Sequence, residues 1–414
     1  MKHVKVSGTA NAMLQNKINT SVVFNYLRQC GPSDRAKIAR DLRLSAPTVT
    51  RAIENLREDG YISEAGIGMT DLGKKARIFK INAERFFVVG IDLAKMRVRT
   101  AVCDFGGSII ENREGFRFSA ETNVEIALFT EIDNSLERVR SIFEGRQGQL
   151  KAIAVGVPAI SNPGTGEITG AVFYDNLVGL DIARLLKHRY SVPVFIDNVA
   201  NLSAISEHAY GAGKRSANLI FVEISRGVGA GMLFDGNIFR GSGGSAGEIG
   251  FSVTSPEGLS YTSGNRGYFE SKISLDALAE SGRIASLESP RSLLATRATG
   301  DPNGVSASLV CRCALEGDDV ARRIIQDAVE RLSVVVVNLV AAISPEVVVF
   351  GGDICTLPGV KELFLDPVDK AISRIVPFSH PHITLSSLAE NACVVGAATL
   401  AIESLLIGRY PYRI

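Results

Sequence analysis

Residues 86–93 read Phe86-Phe87-Val88-Val89-Gly90-Ile91-Asp92-Leu93. An unbroken apolar run of this length, closed by one acid, is the pattern of a strand buried on both faces. The chain then alternates. Met96 to Asp104 and Ser108 to Asn112 continue an antiparallel meander, 123–144 is helical, and Lys151 to Pro158 is a second buried strand. Leu180 to Lys187 reads as a helix and Val192 to Asp197 as a strand. A similar opening recurs at Leu219 to Ile224 and Gly229 to Phe234. Asp318 to Ile343 is then a long helix running into the strand Val347 to Phe350, and a last helix spans Val394 to Leu406. Two like openings predict two related α/β lobes with a cleft between them.

Upstream of this body the texture differs. Residues 1–80 carry 14 Lys/Arg against 7 Asp/Glu, a net of +7, while the remainder carries 31 against 37, a net of −6. A basic head on an acidic body is expected when one part meets nucleic acid and the other does not. Three helical patterns lie between Leu14 and Asp59. Ile18, Val22, Val23, Tyr26 and Leu27 mark the first, which stops near Cys30-Gly31-Pro32. Ser33 is read as the cap of a short second helix whose inner face is Ile38, Ala39 and Leu42, and Ser45 as the cap of a third that buries Val49, Ile53 and Leu56.

The outer face of the third helix offers Ala46, Pro47, Thr48, Thr50 and Arg51. Small and hydroxyl-bearing residues plus one arginine at a helix N-terminus suit a major groove and a phosphate. The strand Tyr61-Ile62-Ser63, Gly66, Gly68 and the basic return from Lys74 and Lys75 to Lys80 read as a wing. Candidate DNA-binding residues are therefore Ser45, Pro47, Thr48, Thr50, Arg51, Lys74 and Lys75, and the partner is double-stranded operator DNA.

Composition narrows the rest. With 46% hydrophobic and 21% charged residues, 414 residues support two or three packed domains and exclude global disorder. Six cysteines in this length make no disulfide framework, and the lone pair Cys311/Cys313 is thin evidence for zinc. The N-terminus has no apolar stretch of signal-peptide type, and the run from Val334 to Ile343 is too short to span a bilayer. A cytoplasmic protein without a membrane partner is expected.

Several segments resemble one family. Gly90-Ile91-Asp92-Leu93 looks like the first phosphate motif of the actin-like ATPase superfamily, and Ser225 to Gly231 (Ser-Arg-Gly-Val-Gly-Ala-Gly) like the second. Pro345 to Gly352 resembles the nucleotide-proximal motif, and Gly244-Ser245-Ala246-Gly247-Glu248-Ile249-Gly250 the sugar-site signature of the ROK family of repressors, open reading frames and kinases. The resemblance covers about residues 15–406. It implies an α/β fold: a winged helix-turn-helix over 1–80, then a two-lobed actin-like (ribonuclease H-like) ROK domain. The small lobe would span 81–198, completed by a C-terminal helix at about 394–414, and the large lobe 199–393.

Departures from the family pattern bear on function. Sugar kinases of the family place a carboxylate in an Asn-Asp-Ala-Asn segment to take the proton from the sugar hydroxyl. Here Asp197-Asn198-Val199-Ala200-Asn201 aligns on Asn198 and Asn201 and leaves Val199 at that position. The kinases' Gly-Gly-Thr after Asp-Leu is Ala94-Lys95-Met96, and Arg226 stands where a small hydroxyl residue is usual. The zinc-site positions hold Phe251, Tyr261, Ser263 and Tyr268, so no metal and no cofactor is expected. Tyr261, Tyr268 and Phe251 are expected to cluster in its place. Asn198, Glu248 and Glu270 match positions where the family binds sugar hydroxyls, with Phe251 beside them, so these four are the candidate effector site. The resemblance implies a transcriptional regulator, most simply a repressor, acting as a homodimer or higher homo-oligomer. Its effector would be a small carbohydrate that it does not phosphorylate. The alternative is an active ROK sugar kinase with an appended DNA-binding head.

Overall fold

The computed structural model describes residues 8–69, 75–117, 123–142, 149–162, 166–170, 177, 179–262, 266–298 and 304–407. The head runs α1 (Gly8–Cys30), β1 (Ser33–Asp34), α2 (Arg35–Leu42), α3 (Ala46–Glu58), β2 (Ile62–Met69) and β3 (Lys75–Ile81). Its sheet has the order β1-β3-β2, antiparallel throughout, with a bulge between Glu64 and Gly66.

Val23, Phe24, Leu27, Ile38, Val49, Ile53, Leu56 and Phe79 fill the head's core. Two expectations need correction. Ile18 and Val22 lie on the outer side of α1, because its inner stripe runs through Val23, Phe24 and Leu27. The cap of α2 is Asp34: its Oδ1 accepts the N–H groups of Ala36 (2.8 Å) and Lys37 (3.0 Å). Ser33 is drawn into β1 opposite Phe79. A carboxylate satisfies two orphan amides at once and complements the helix dipole, so it takes the role.

The first lobe of the body is a meander of β4 (Phe86–Asp92), β5 (Arg97–Asp104) and β6 (Ile109–Arg117), followed by α4 (Val124–Ile142) and β7 (Gln149–Val157). A short hairpin, β8 (Ile160–Ser161) and β9 (Ile168–Gly170), α5 (Ile182–Tyr190) and β10 (Val194–Asn198) complete it. The sheet order is β10-β7-β4-β5-β6, with β4, β7 and β10 parallel. After α6 (Val199–Tyr210) the second lobe repeats the plan: β11 (Leu219–Ile224), β12 (Val228–Phe234) and β13 (Asn237–Ile238) form the meander. Next come α7 (Glu270–Ile273), α8 (Leu275–Glu288), α9 (Leu293–Arg297), α10 (Ala307–Leu315) and α11 (Asp319–Ile343). Strand β14 (Val347–Gly351), α12 (Asp366–Ile375) and β15 (His382–Leu385) give the order β13-β12-β11-β14-β15. Crossovers through helices place the parallel strands' carboxyl ends on one side, and ligand sites of such sheets form there.

The last helix, α13 (Ala392–Ile407), returns to pack with α6 against β4 and β7. It is long and apolar enough to cross a membrane by composition, and it lies inside the core. A side chain at Gly90 of β4 would put its Cβ 2.1 Å from the Val394 carbonyl oxygen, so this contact requires glycine.

Head and body share one core. Tyr61 stacks on Phe105 with centroids 5.2 Å apart, and Phe24 and Phe86 meet Phe105 at 6.2 and 5.4 Å. The buried Arg28 of α1 reaches Glu403 of α13 at 3.3 Å and lies 5.5 Å from the centroid of the Tyr210 ring, at the end of α6. Aromatic contacts of this kind stabilise the junction beyond the area they bury.

Candidate functional site

The helix α3 begins where its sequence permits. Ser45 is extended and its Oγ accepts the Thr48 N–H at 3.3 Å, with Pro47 in the first turn. The Thr48 hydroxyl lies 2.8 Å from Ser45 Oγ, so these two side chains hold each other. Ser45, Pro47 and Arg51 are exposed, and Thr48 and Thr50 partly so. The five lie together on the first turns of a helix whose opposite face is buried. Lys75 is exposed at the start of β3, whereas Lys74 lies outside the described residues. The wing's charge is partly spoken for: Glu64 binds Arg77 at 3.1 Å and Arg57 at 3.4 Å.

In the cleft, β10 ends at Asn198, which caps α6. Its Oδ1 accepts the Ala200 N–H at 2.8 Å, and its Nδ2 donates to the Ala159 carbonyl at 3.2 Å. Val199, the first residue of α6, is buried. Asp197 is engaged on both oxygens. Oδ1 accepts from the Asn198 N–H (2.8 Å) and Asn201 Nδ2 (2.9 Å), while Oδ2 accepts from Arg240 Nε (2.9 Å) and from its Nη2. Both side chains are nearly inaccessible. A carboxylate whose oxygens are held by two charge-assisted bonds to a buried guanidinium and by two amides is not free to turn toward a substrate hydroxyl.

Glu248 and Glu270 are brought together. Burial, and then the nearby Glu270 charge, push the Glu248 carboxyl up to about 7. Glu248 does not cap local backbone, and its carboxylate has no hydrogen bond to the described residues. Glu270 Oε2 accepts the Val228 N–H at 3.0 Å; its buried Oε1 has no hydrogen-bond partner among the described residues, with Arg266 Nε 3.7 Å away. Burial also raises the Glu270 carboxyl. Two adjacent acids, Glu248 without a side-chain hydrogen bond and Glu270 with Oε1 outside hydrogen-bond distance of Arg266, suit vicinal hydroxyls, which bring their own donors. The turn of α6 capped by Asn198 closes on the same place. A Cβ at Gly231 would sit 2.3 Å from the Ala200 carbonyl oxygen, and one at Gly229 within 3.8 Å of both Ala200 and Gly247.

The ROK family model matches residues 88–404, more than half of the sequence. The chain belongs to the ROK family. A winged helix-turn-helix DNA-binding model matches residues 23–63 as well. The xylose repressor of Caldicellulosiruptor bescii is 26% identical over 96% of this chain and 98% of its own length. The Escherichia coli K12 transcriptional dual regulator NagC is 23% identical over 96% and 95%. Among solved structures, a ROK family transcriptional regulator homologous to E. coli Mlc superposes with a TM-score of 0.78. That match has 21% identity over 95% of this chain and 97% of that one. A ROK glucokinase from Streptomyces griseus, solved with glucose and AMPPNP, gives 0.62 at 22% identity over 76% and 98%. These two likenesses are of fold.

A ROK fold raises the question of nucleotide and zinc. The residues do not fit a triphosphate. Lys95 takes the left-handed conformation (φ 60°, ψ 28°), which costs an L side chain about 1 kcal/mol or more. Its ammonium is paired with Asp353, and Arg226 with Asp276 at 3.1 Å. The Lys95 ammonium is thereby taken up across the loop, while the Arg226–Asp276 pair is half exposed. Nor do they fit zinc. Tyr261 and Tyr268 meet edge to face at 5.3 Å, Tyr268 is fixed by Ser255 at 2.7 Å and Arg331 at 3.1 Å, and Ser263 lies outside the described residues. Phe251 stays half-exposed and outside that pair of rings, so the expected three-ring cluster reduces to two. Cys311 and Cys313 are both buried within α10, and burial pushes the Cys311 thiol up to about 12.

Arg240 escaped sequence reasoning. It sits in a glycine-rich run, and nothing in spacing ties residue 240 to 197. The ion pair Lys95–Asp353 was equally hidden.

Proposed function

We infer that this ROK protein is a DNA-binding transcriptional regulator whose cleft takes a small carbohydrate as effector without phosphorylating it. One observation carries the second half. The acid nearest the expected catalytic position, Asp197, is committed to Arg240, while Glu248 makes no side-chain hydrogen bond to the described residues and Glu270 Oε1 faces Arg266 at 3.7 Å without a hydrogen bond. The pocket therefore has the means to hold a polyol, while the acid beside the expected catalytic position is not free to take a proton from it. Asn198, Glu248, Glu270 and Phe251 are the proposed effector contacts. Ser45, Pro47, Thr48, Thr50, Arg51, Lys74 and Lys75 are the proposed DNA contacts, with Ser45 acting as the cap that presents Thr48.

The reading places a dimer on two half-sites about one helical turn apart, in the cytoplasm. Repression is the expected sign, in keeping with the names of the relatives. Ligand shifts DNA affinity only through its differential affinity for two arrangements of the heads, typically about 1–3 kcal/mol. Helix α6 runs between the two ends of that exchange. Its cap, Asn198, is in the cleft and its last residue, Tyr210, lies under Arg28 of the head. Sequencing the genomic fragments that the purified protein retains tests the proposal. Recovery of one recurrent palindromic sequence whose binding weakens or strengthens with a sugar supports it. Retention of random fragments, together with sugar-dependent consumption of ATP, favours the kinase alternative.

A further inference from the structure

Lys95 and Asp353 belong to different lobes. Lys95 lies in the turn between β4 and β5, and Asp353 directly follows β14 and Gly352. Their side chains form an ion pair across the cleft, each about three-quarters shielded from solvent. Both ends are held in place. Lys95 keeps a left-handed backbone, a conformation that persists in a non-glycine residue only where the surroundings fix it. The Asp353 N–H donates to Ser225 Oγ at 2.9 Å, and that hydroxyl donates to Glu223 Oε1 at 2.8 Å. The Lys95 charge also acts on two further acids, the buried Asp92 of β4 and the partly buried Glu223 of β11. One ammonium thus serves carboxylates from both lobes.

We propose that the Lys95–Asp353 pair is a latch between the lobes. It closes the cleft on the side where a kinase of this fold would hold the phosphates of its nucleotide, using a cation built into the chain. The resting angle between the lobes is then set without ATP, and sugar alone moves the cleft from that angle. The same substitution that spoils the phosphate loop, lysine for glycine, supplies the bridge. A partly shielded pair of this kind shifts an open–closed equilibrium by about five-fold at most, which is enough to set a resting state.

The test uses the full chain with neither sugar nor DNA, so it stands apart from the effector reading. Hydrogen exchange is followed in peptides covering 198–204 and 245–251, which line the cleft and contain neither residue of the pair. Lys95→Met and Asp353→Asn, both close in shape to the originals, are each expected to speed exchange there by about two- to five-fold. The double variant Lys95→Met with Asp353→Asn is expected to exchange no faster than either single variant, since each single change already breaks the pair. Unchanged exchange in both single variants overturns the latch. So does an additive speeding in the double variant, because the two residues would then act separately. Circular dichroism of each variant shows that slow or fast exchange belongs to folded protein.

Discussion

The Asp197 carboxylate and the Arg240 guanidinium form a buried pair at the end of β10, with Asn201 and the Asn198 amide completing the carboxylate's shell. Removing one partner strands the other. Asp197→Ala is expected to cost about 3–5 kcal/mol of stability, because Arg240 stays buried and uncompensated. Replacing both with apolar residues of similar volume is expected to cost much less. Thermal or urea unfolding of the two variants measures this. Equal losses would mean the pair is not coupled.

The reading face of α3 gives a second expectation. Arg51→Ala should weaken operator binding by about 1–3 kcal/mol. Lys75→Ala should weaken binding alike on all sequences and reduce the slope of log affinity against log salt by about one. Ser45→Ala removes the cap bonded to the Thr48 N–H and should lower stability by about 1 kcal/mol. Anisotropy titrations at several salt concentrations separate these effects, and a salt slope unchanged by Lys75→Ala would remove the wing from the phosphate contacts.

Glu248 predicts a pH dependence. Its carboxyl is raised from the ordinary 4.5 to about 7. The folded state therefore holds the proton more tightly than the unfolded state, and stability falls as pH rises from about 4.5 through 7. Glu248→Gln removes that loss. The variant should unfold at higher temperature than the parent at pH 8, with the gap closing near pH 5. It should also bind sugar more weakly, having lost one acceptor. Glu223, raised to about 7 by burial, is present in both proteins, so it cancels in the difference.

The chain's alternation of strands and helices, and its two similar openings, were enough to read two lobes. Charge asymmetry and the caps of α3 marked the head. Those signals are local, and a local pattern survives in a sequence. The Asp34 cap was misplaced by one residue because a neighbouring serine has the same preference, and only the pairing of β1 with β3 decides between them. The inner face of α1 was misread because apolar residues there lie on both sides of the helix. Asp197–Arg240, Lys95–Asp353 and the Tyr61–Phe105 stack join residues far apart in the chain, and such contacts follow from tertiary closure alone.

The junction between head and body gives a fourth expectation. Arg28→Met keeps the aliphatic stem against Tyr210 and breaks the contact with Glu403. Sugar binding and sugar-free operator binding should survive. The sugar-induced change in operator affinity should shrink by about two- to ten-fold. A full response in this variant would move the coupling to another contact.

The account turns on a ligand that is sensed and left intact. Operator anisotropy is measured against a panel of saccharides, amino sugars and sugar phosphates, each with and without Mg·ATP, and the sugar is recovered for mass spectrometry. At least one of these sugars should change operator affinity by about five-fold or more without ATP, ATP should add nothing, and the sugar should return at its original mass. A sugar recovered with an added phosphoryl group, in step with ATP loss, would contradict the account.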